Sequence, residues 1–149
     1  MRSLDTNLLL FSISEDAPEH EAAASFVEAE EQRSDVVVSE WALVELYNLL
    51  RNPAVFAKPL AARAAVDVIQ NYRQHPRWGL VSFPSSGVAV HDALWSHASS
   101  ASFARRRVFD ARMALCLRGC GVTDFATSNV QDFSNFGFHR VWNPLEPTA

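Results

Sequence analysis

The chain has 149 residues, 48% of them hydrophobic, and a formal net charge of −4. That length suits one domain spanning 1–149 with a substantial core, and the apolar content excludes intrinsic disorder. The negative balance excludes a global attraction to nucleic acid, and no apolar run reaches membrane-spanning length.

Residues 2–5, Arg-Ser-Leu-Asp, predict a short strand leading into Thr6-Asn7-Leu8-Leu9-Leu10-Phe11. One arginine, no long apolar core and no clear cleavage site argue against a signal peptide, so a cytoplasmic chain is expected. Asp5 falls where Asp-Thr-Asn interrupts the apolar pattern, as at the carboxyl end of a strand. In open α/β sheets that edge is where ligands bind. A helix N-cap is the alternative reading of Asp5.

Ala17 to Arg33 is helical in spacing, with Ala22, Ala23, Phe26, Val27 and Ala29 inside and glutamates outside. Residues 35–38, Asp-Val-Val-Val, form a β-branched strand, and Ser39 can cap the next helix. That helix, Glu40 to Arg51, has Trp41, Leu46, Leu49 and Leu50 on its apolar side, helped by Ala42, Val44 and Tyr47. Glu45 is four residues from both Trp41 and Leu49, which puts it on or beside the buried stripe. The alternative is a glutamate at the stripe's edge, reaching water. Asn52-Pro53 stops the helix.

Residues 54–58 read as a loop. Pro59 to Gln74 is helical again, with Leu60, Ala64, Val68 and Tyr72 inside, which suggests an antiparallel helical hairpin with the preceding helix. Residues 80–83 are a short strand, and Pro84-Ser85-Ser86-Gly87 a turn. Val88 to Ala101 is a helix carrying His91 and His97, whose spacing of six does not suit a metal pair.

Val108, Phe109, Ala111, Ala114, Leu115 and Leu117 give the next helix, ended by Gly119 and Gly121. Asp110 shares a face with Ala114 and Leu117. A carboxylate there is expected to be half buried, and a buried charge needs a metal, an arginine or backbone donors. A first-turn acid favoured by the helix dipole is the alternative. Cys116 and Cys120, one turn apart, read as small reduced core residues. Arg105, Arg106, Arg107, Arg112 and Arg118 surround Asp110 and could hold phosphates. Residues 122–127 form a strand, followed by Ser128, Asn129 and Asp132 where a loop or helix begins. Residues 138–142 alternate as a final strand, and the chain beyond Pro144 is expected to be loose.

Strands alternating with helices predict an α/β fold, a mostly parallel sheet with helices on both faces. If the first and fourth strands are neighbours, Asp5, Glu45, Asp110, Asn129 and Asp132 converge on one edge. Several carboxylates in one pocket raise one another's pKa values, a conflict that a hard divalent cation resolves. Mg²⁺ or Mn²⁺ in such a pocket supports in-line phosphodiester hydrolysis.

The blocks Leu4-Asp5-Thr6-Asn7-Leu8-Leu9, Ser39-Glu40-Trp41-Ala42-Leu43-Val44-Glu45-Leu46, Phe109-Asp110-Ala111-Arg112-Met113-Ala114-Leu115 and 121–133, with the closing Arg140-Val141-Trp142-Asn143-Pro144, occur in a fixed order. In this the chain resembles the PIN-domain ribonucleases, and among them the VapC-type toxins of bacterial toxin–antitoxin pairs. The resemblance implies a PIN-like three-layer fold with a five-stranded parallel sheet in the order 3-2-1-4-5. It implies Mg²⁺- or Mn²⁺-dependent endoribonuclease cleavage of structured RNA such as tRNA, leaving 5′-phosphate and 3′-hydroxyl ends. It further implies a small VapB-like antitoxin as partner, and a homodimer. Asp5, Glu45 and Asp110 match the first three acids of the family. Many relatives have aspartate where this chain has Asn129, and Asp132 is the nearest acid to supply the fourth.

On that reading Asp5, Glu45, Asp110 and Asp132 are catalytic. Asp5, Asp110 and Asp132 hold the metal, with Glu45, Asn129 and Asp124 as lesser candidates. Thr6, Thr127, Asn129 and Arg112 orient ligands or bind substrate, with a minor assist from Asn7. Two other readings remain. One is a PIN-fold RNA- or protein-binding module with weakened catalysis. The other is an acid-pocket phosphoryl-transfer domain, which usually needs a lysine near the site, and Lys58 is the only lysine in the chain.

Overall fold

The computed structural model describes residues 1–147. Five short strands, β1 (Arg2–Leu4), β2 (Val36–Ser39), β3 (Gly79–Val81), β4 (Asp124–Ala126) and β5 (Arg140–Trp142), form one sheet in the order β3-β2-β1-β4-β5. Every pairing is parallel, so all five carboxyl ends lie along one edge. This is the sheet order expected from the resemblance.

Among the described residues seven helices connect and cover the strands: α1 (Thr6–Ile13), α2 (His20–Glu31), α3 (Glu40–Leu50), α4 (Ala62–Arg73), α5 (Gly87–Ala98), α6 (Arg107–Gly119) and α7 (Val130–Phe133). Their packing follows from period-2 alternation in the strands. In β2, Val36 and Val38 enter a core with Leu4, Leu9, Leu43, Leu46 and Leu50. Val37 between them enters the opposite core with Leu94, Ala114, Leu117, Phe125 and Phe133. A sheet buried on both faces explains why β2 reads as a continuous apolar run. No described helix is long and apolar enough to cross a membrane.

Several boundaries move. The 122–127 strand shrinks to β4, because the backbone N–H groups of Thr123 and Asp124 both turn to the carbonyl of Met1. In the 59–74 segment Ala65 is buried and Ala64 is exposed, so the buried stripe is Ala65, Val68, Ile69 and Tyr72. Those residues join the β1–β2 core, so α4 packs onto the domain. Phe109, placed in the apolar pattern by spacing, is 69% exposed. The chain after Pro144, expected to be loose, begins with a turn in which the Asn143 carboxamide oxygen accepts the Leu145 N–H at 3.0 Å. Residues 148 and 149 lie outside the described residues.

Candidate active site

The register Leu4↔Ala126 brings the ends of β1 and β4 side by side, and the Asp5 N–H donates to the Ala126 carbonyl at 2.9 Å. Asp5 therefore leaves its strand directly opposite Thr127. Its backbone stands at the N-cap position of α1, yet its side chain makes no capping bond. The carboxylate accepts the Thr127 hydroxyl at 2.6 Å instead. Asp5 thus takes the N-cap position by its backbone alone, while its side chain turns to the end of β4.

Asp5 is 7% exposed, and its pKa is pushed up to about 7. Burial is the main cause, and the nearby charges of Glu45 and Asp110 add to it. The hydrogen bonds from Thr127 and from the Thr6 backbone act the other way without cancelling it.

Thr127 is fully buried and joins three elements of the site. Its hydroxyl donates to Asp5 and accepts the Asn129 N–H at 3.0 Å. The Asn7 amide donates to Ser128 Oγ at 2.7 Å, pinning the same loop to the first turn of α1. Thr127→Val keeps the shape but leaves Asp5 without its side-chain donor. Cleavage by that variant is expected to fall by roughly 10–100-fold, with the acidic limb of the pH–rate profile moved upward. A wild-type profile at wild-type rate would remove Thr127 from the site.

Glu45 does not lie on the buried stripe of α3 but beside it. It is exposed, and the buried stripe of α3 consists of Ala42, Leu43, Leu46 and Leu50. Trp41, Glu45 and Leu49 form the ridge beside that stripe, so the edge reading holds. The Thr6 hydroxyl donates to Glu45 Oε2 at 3.0 Å, aiming the carboxylate along the sheet edge. Glu45 and Asp110 face each other across a cleft of about 450 Å³ that Trp41, Phe109 and Arg112 also line.

Asp110 is half-buried in the first turn of α6. Burial, then Glu45 and Asp132, raise its pKa, while Arg107 opposes them. Asp132 lies on α7, and its side chain is 46% exposed. Asn129 is also exposed and lines a second cleft with Ser128, Asp132 and Glu146. Glu45 and Asp110 thus act on Asp5, and Glu45 and Asp132 on Asp110, while Asp132 and Asn129 line the second cleft and not the first.

Asp124 does not join them. It opens β4, at the amino end of the strand, away from Thr127, and its carboxylate accepts the Thr123 hydroxyl at 2.6 Å. The basic residues divide as well. Arg112 stacks over the Trp41 ring at 4.2 Å, inside the cleft. Arg105 and Arg106 are exposed. Arg107 turns toward α7, where its Nη2 donates to the Asp132 carbonyl at 2.7 Å. Sequence spacing did not reveal Trp41 as a platform for Arg112. Cys116 and Cys120 are both free thiols, but only Cys116 is a buried core residue of α6, since Cys120 stands half-buried at its C-cap.

The donor chemistry fits a hard divalent cation. All four acidic side chains offer oxygen alone, and Asp5 and Asp110 cannot comfortably ionise together without added positive charge. Among the described residues no three His, Cys, Asp or Glu side chains stand together as a ready-made metal site. A cation that keeps several waters, as Mg²⁺ does, suits such an open set.

No protein-family model matches the chain. It is 47% identical over 145 residues to Ribonuclease VapC24 of Mycobacterium tuberculosis (strain H37Rv), covering 97% of each protein. Among solved structures it resembles the Mycobacterium tuberculosis VapC20, a sarcin–ricin loop cleaving toxin, with a TM-score of 0.67 and 18% identity. That match covers 93% of this chain and 96% of VapC20. VapBC2 from Rickettsia felis, bound to a DNA fragment from its promoter, matches at a TM-score of 0.64 and 13% identity over 95% and 97% of the two chains.

Proposed function

The chain belongs to the VapC family of PIN-domain ribonucleases, and from that premise we propose that it is a divalent-metal-dependent endoribonuclease toxin, acting as one nuclease domain over 1–149. The observation that carries the site assignment is the buried Asp5, held by Thr127 and acted on by the charges of Glu45 and Asp110, with Asp132 in turn acting on Asp110.

Asp5 and Asp110 are the central acids, and Glu45 and Asp132 flank them on α3 and α7. Bound there, Mg²⁺ or Mn²⁺ would polarise the scissile phosphate and make a water nucleophilic at neutral pH. Thr127 holds the Asp5 carboxylate in one orientation, and Thr6 does the same for Glu45. Arg112, immobilised on Trp41, presents a guanidinium to a phosphate of the RNA in the cleft.

The substrate class is structured RNA, with tRNA the first candidate. The likeness to VapC20 makes ribosomal RNA the natural second pool. A small VapB-like antitoxin is the proposed inhibitor, supported by the likeness to the VapBC2 complex. Exposed Val44, Trp95 and Phe109 support a homodimer, since Phe109 joins the clefts that the other two line.

The test is incubation of the antitoxin-free chain with total tRNA and with ribosomal RNA, in Mg²⁺, in Mn²⁺ and in EDTA. Discrete products bearing 5′-phosphates are expected in either metal and none in EDTA. Equal cleavage in EDTA would refute the metal-dependent reading. A folded chain that binds RNA but cleaves neither pool in any lane would favour the binding-module alternative.

A further inference from the structure

Asp110 and Asp132 sit on two separate helices with no strand pairing between them. Asp110 is anchored in the long helix α6, whereas Asp132 sits on α7, a helix of only four residues. So short a helix has almost no internal hydrogen bonding, and its placement must come from tertiary contacts. On its buried side Phe133 packs against Phe125 at a centroid distance of 4.8 Å. On the side facing the cluster the direct tie is Arg107. Its Nη2 donates to the Asp132 carbonyl at 2.7 Å, and its Nε stands 3.9 Å from Asp132 Oδ1. That Nε is buried and has no hydrogen-bond partner among the described residues. Arg107 is the first residue of α6, one turn before Asp110, so its guanidinium bridges the two elements that carry the two acids.

We propose that Arg107 is a positioning residue of the nuclease site, tying α7 to the first turn of α6 so that Asp132 stays within reach of an ion held at Asp110. The inference rests on the metal-dependent reading above. It assigns Arg107 a role distinct from that of Arg112. Arg112 lies in the open cleft, on Trp41, where a phosphate can reach it. Arg107 is directed into the protein, and its strongest bond goes to a backbone carbonyl.

Two rival roles predict opposite results. A guanidinium acting only as a positive charge beside the acids would repel a cation, so Arg107→Ala would bind metal more tightly. A guanidinium that grips substrate would change KM for RNA and leave metal binding alone. Positioning predicts that Arg107→Ala weakens metal affinity.

The test is calorimetric titration of Mn²⁺ into wild type, Arg107→Ala and Arg107→Lys without RNA. It is paired with hydrogen exchange of the residue 130–133 amides and with cleavage kinetics. We expect Arg107→Ala to bind Mn²⁺ about tenfold more weakly and to lose roughly 10–100-fold in kcat at near-constant KM. Faster exchange in α7 with unchanged global stability should accompany this. Lysine keeps one donor for the carbonyl without the planar fork, and should recover part of the affinity. Equal or tighter Mn²⁺ binding by Arg107→Ala overturns the proposal, as does a loss confined to KM. If wild type itself binds no Mn²⁺ and cleaves no RNA, the nuclease reading fails first.

Discussion

Asp5→Asn is expected to abolish cleavage and, in the absence of metal, to make the protein more stable. The catalytic half follows from charge. Removing one of the two central carboxylates weakens the hold on the cation and is expected to reduce kcat/KM by about 10³-fold or more. The stability half follows from linkage. The Asp5 pKa rises from 3.8 to about 7 in the folded chain, chiefly through burial. The folded state therefore keeps a proton that the unfolded state has released. Its contribution to stability is complete below pH 3.8 and is lost as pH rises through about 7. Over that window the metal-free wild type should lose on the order of 4 kcal/mol. Asparagine does not titrate and can still accept the Thr127 hydroxyl. At pH 8 in EDTA, Asp5→Asn should melt several degrees higher than wild type, about 2–4 °C per kcal/mol recovered, with the gap closing near pH 4. Excess Mg²⁺ should raise the wild-type melting temperature and leave Asp5→Asn nearly unmoved. Thermal melts at pH 4 and pH 8, with and without Mg²⁺, test every part. A variant less stable than wild type at pH 8 in EDTA would mean that Asp5 is held as a stabilising structural carboxylate and not as a strained site group.

How much of this was readable in the residues differs from element to element. Val36, Val37 and Val38 announced a β-branched strand, and the structure sends them alternately into the two cores. The break at Asp5-Thr6-Asn7 marked the carboxyl end of β1, but the same triplet also reads as a helix start, and Asp5 does stand at the N-cap of α1. The sheet order came from the resemblance, since strand sequences alone do not say which strands are neighbours. Glu45 was misplaced for a geometric reason. Positions 41, 45 and 49 do share a ridge, but the neighbouring ridge of Ala42, Leu46 and Leu50 is the one that meets the sheet. Asp124 failed as a candidate because sequence reveals which face of a strand a side chain takes more readily than which end it occupies. Arg107 and Arg112 look alike in a run of arginines. Only the positions of α7 and of the Trp41 ring separate a side chain turned inward from one laid in the cleft. Trp78 illustrates the long-range case. It is buried, with its indole N–H on the Glu30 carbonyl at 2.9 Å, a contact across 48 residues that no local pattern encodes.

Phe125→Ala should bring the largest loss of stability among single core substitutions at this edge, about 3–5 kcal/mol. Phe125 occupies the middle of β4, is fully buried, and packs its ring between those of Phe133 at 4.8 Å and Phe138 at 5.3 Å. Alanine leaves a cavity that the strand cannot close, because β4 is fixed by pairing on both sides, to β1 and to β5. Against the ~5–15 kcal/mol that holds a typical domain folded, that is roughly a fifth or more of the total. The loss should appear in urea melts as a lower midpoint with an unchanged slope. Phe125→Leu keeps most of the volume and should cost about 1–2 kcal/mol. The substitution also reaches the chemistry by a traceable route. Phe133 loses its main ring partner, α7 loses its buried anchor, and Asp132 moves with it. The Asp5–Thr127 bond, set by the backbone register of β1 and β4, should persist. At a temperature where Phe125→Ala remains folded, cleavage should therefore fall more than the folded fraction does. Mn²⁺ affinity should weaken in the same direction as in Arg107→Ala. If activity instead tracks the folded fraction alone, α7 is held by Arg107 without help from the core. Asp132 would then owe its position to one guanidinium.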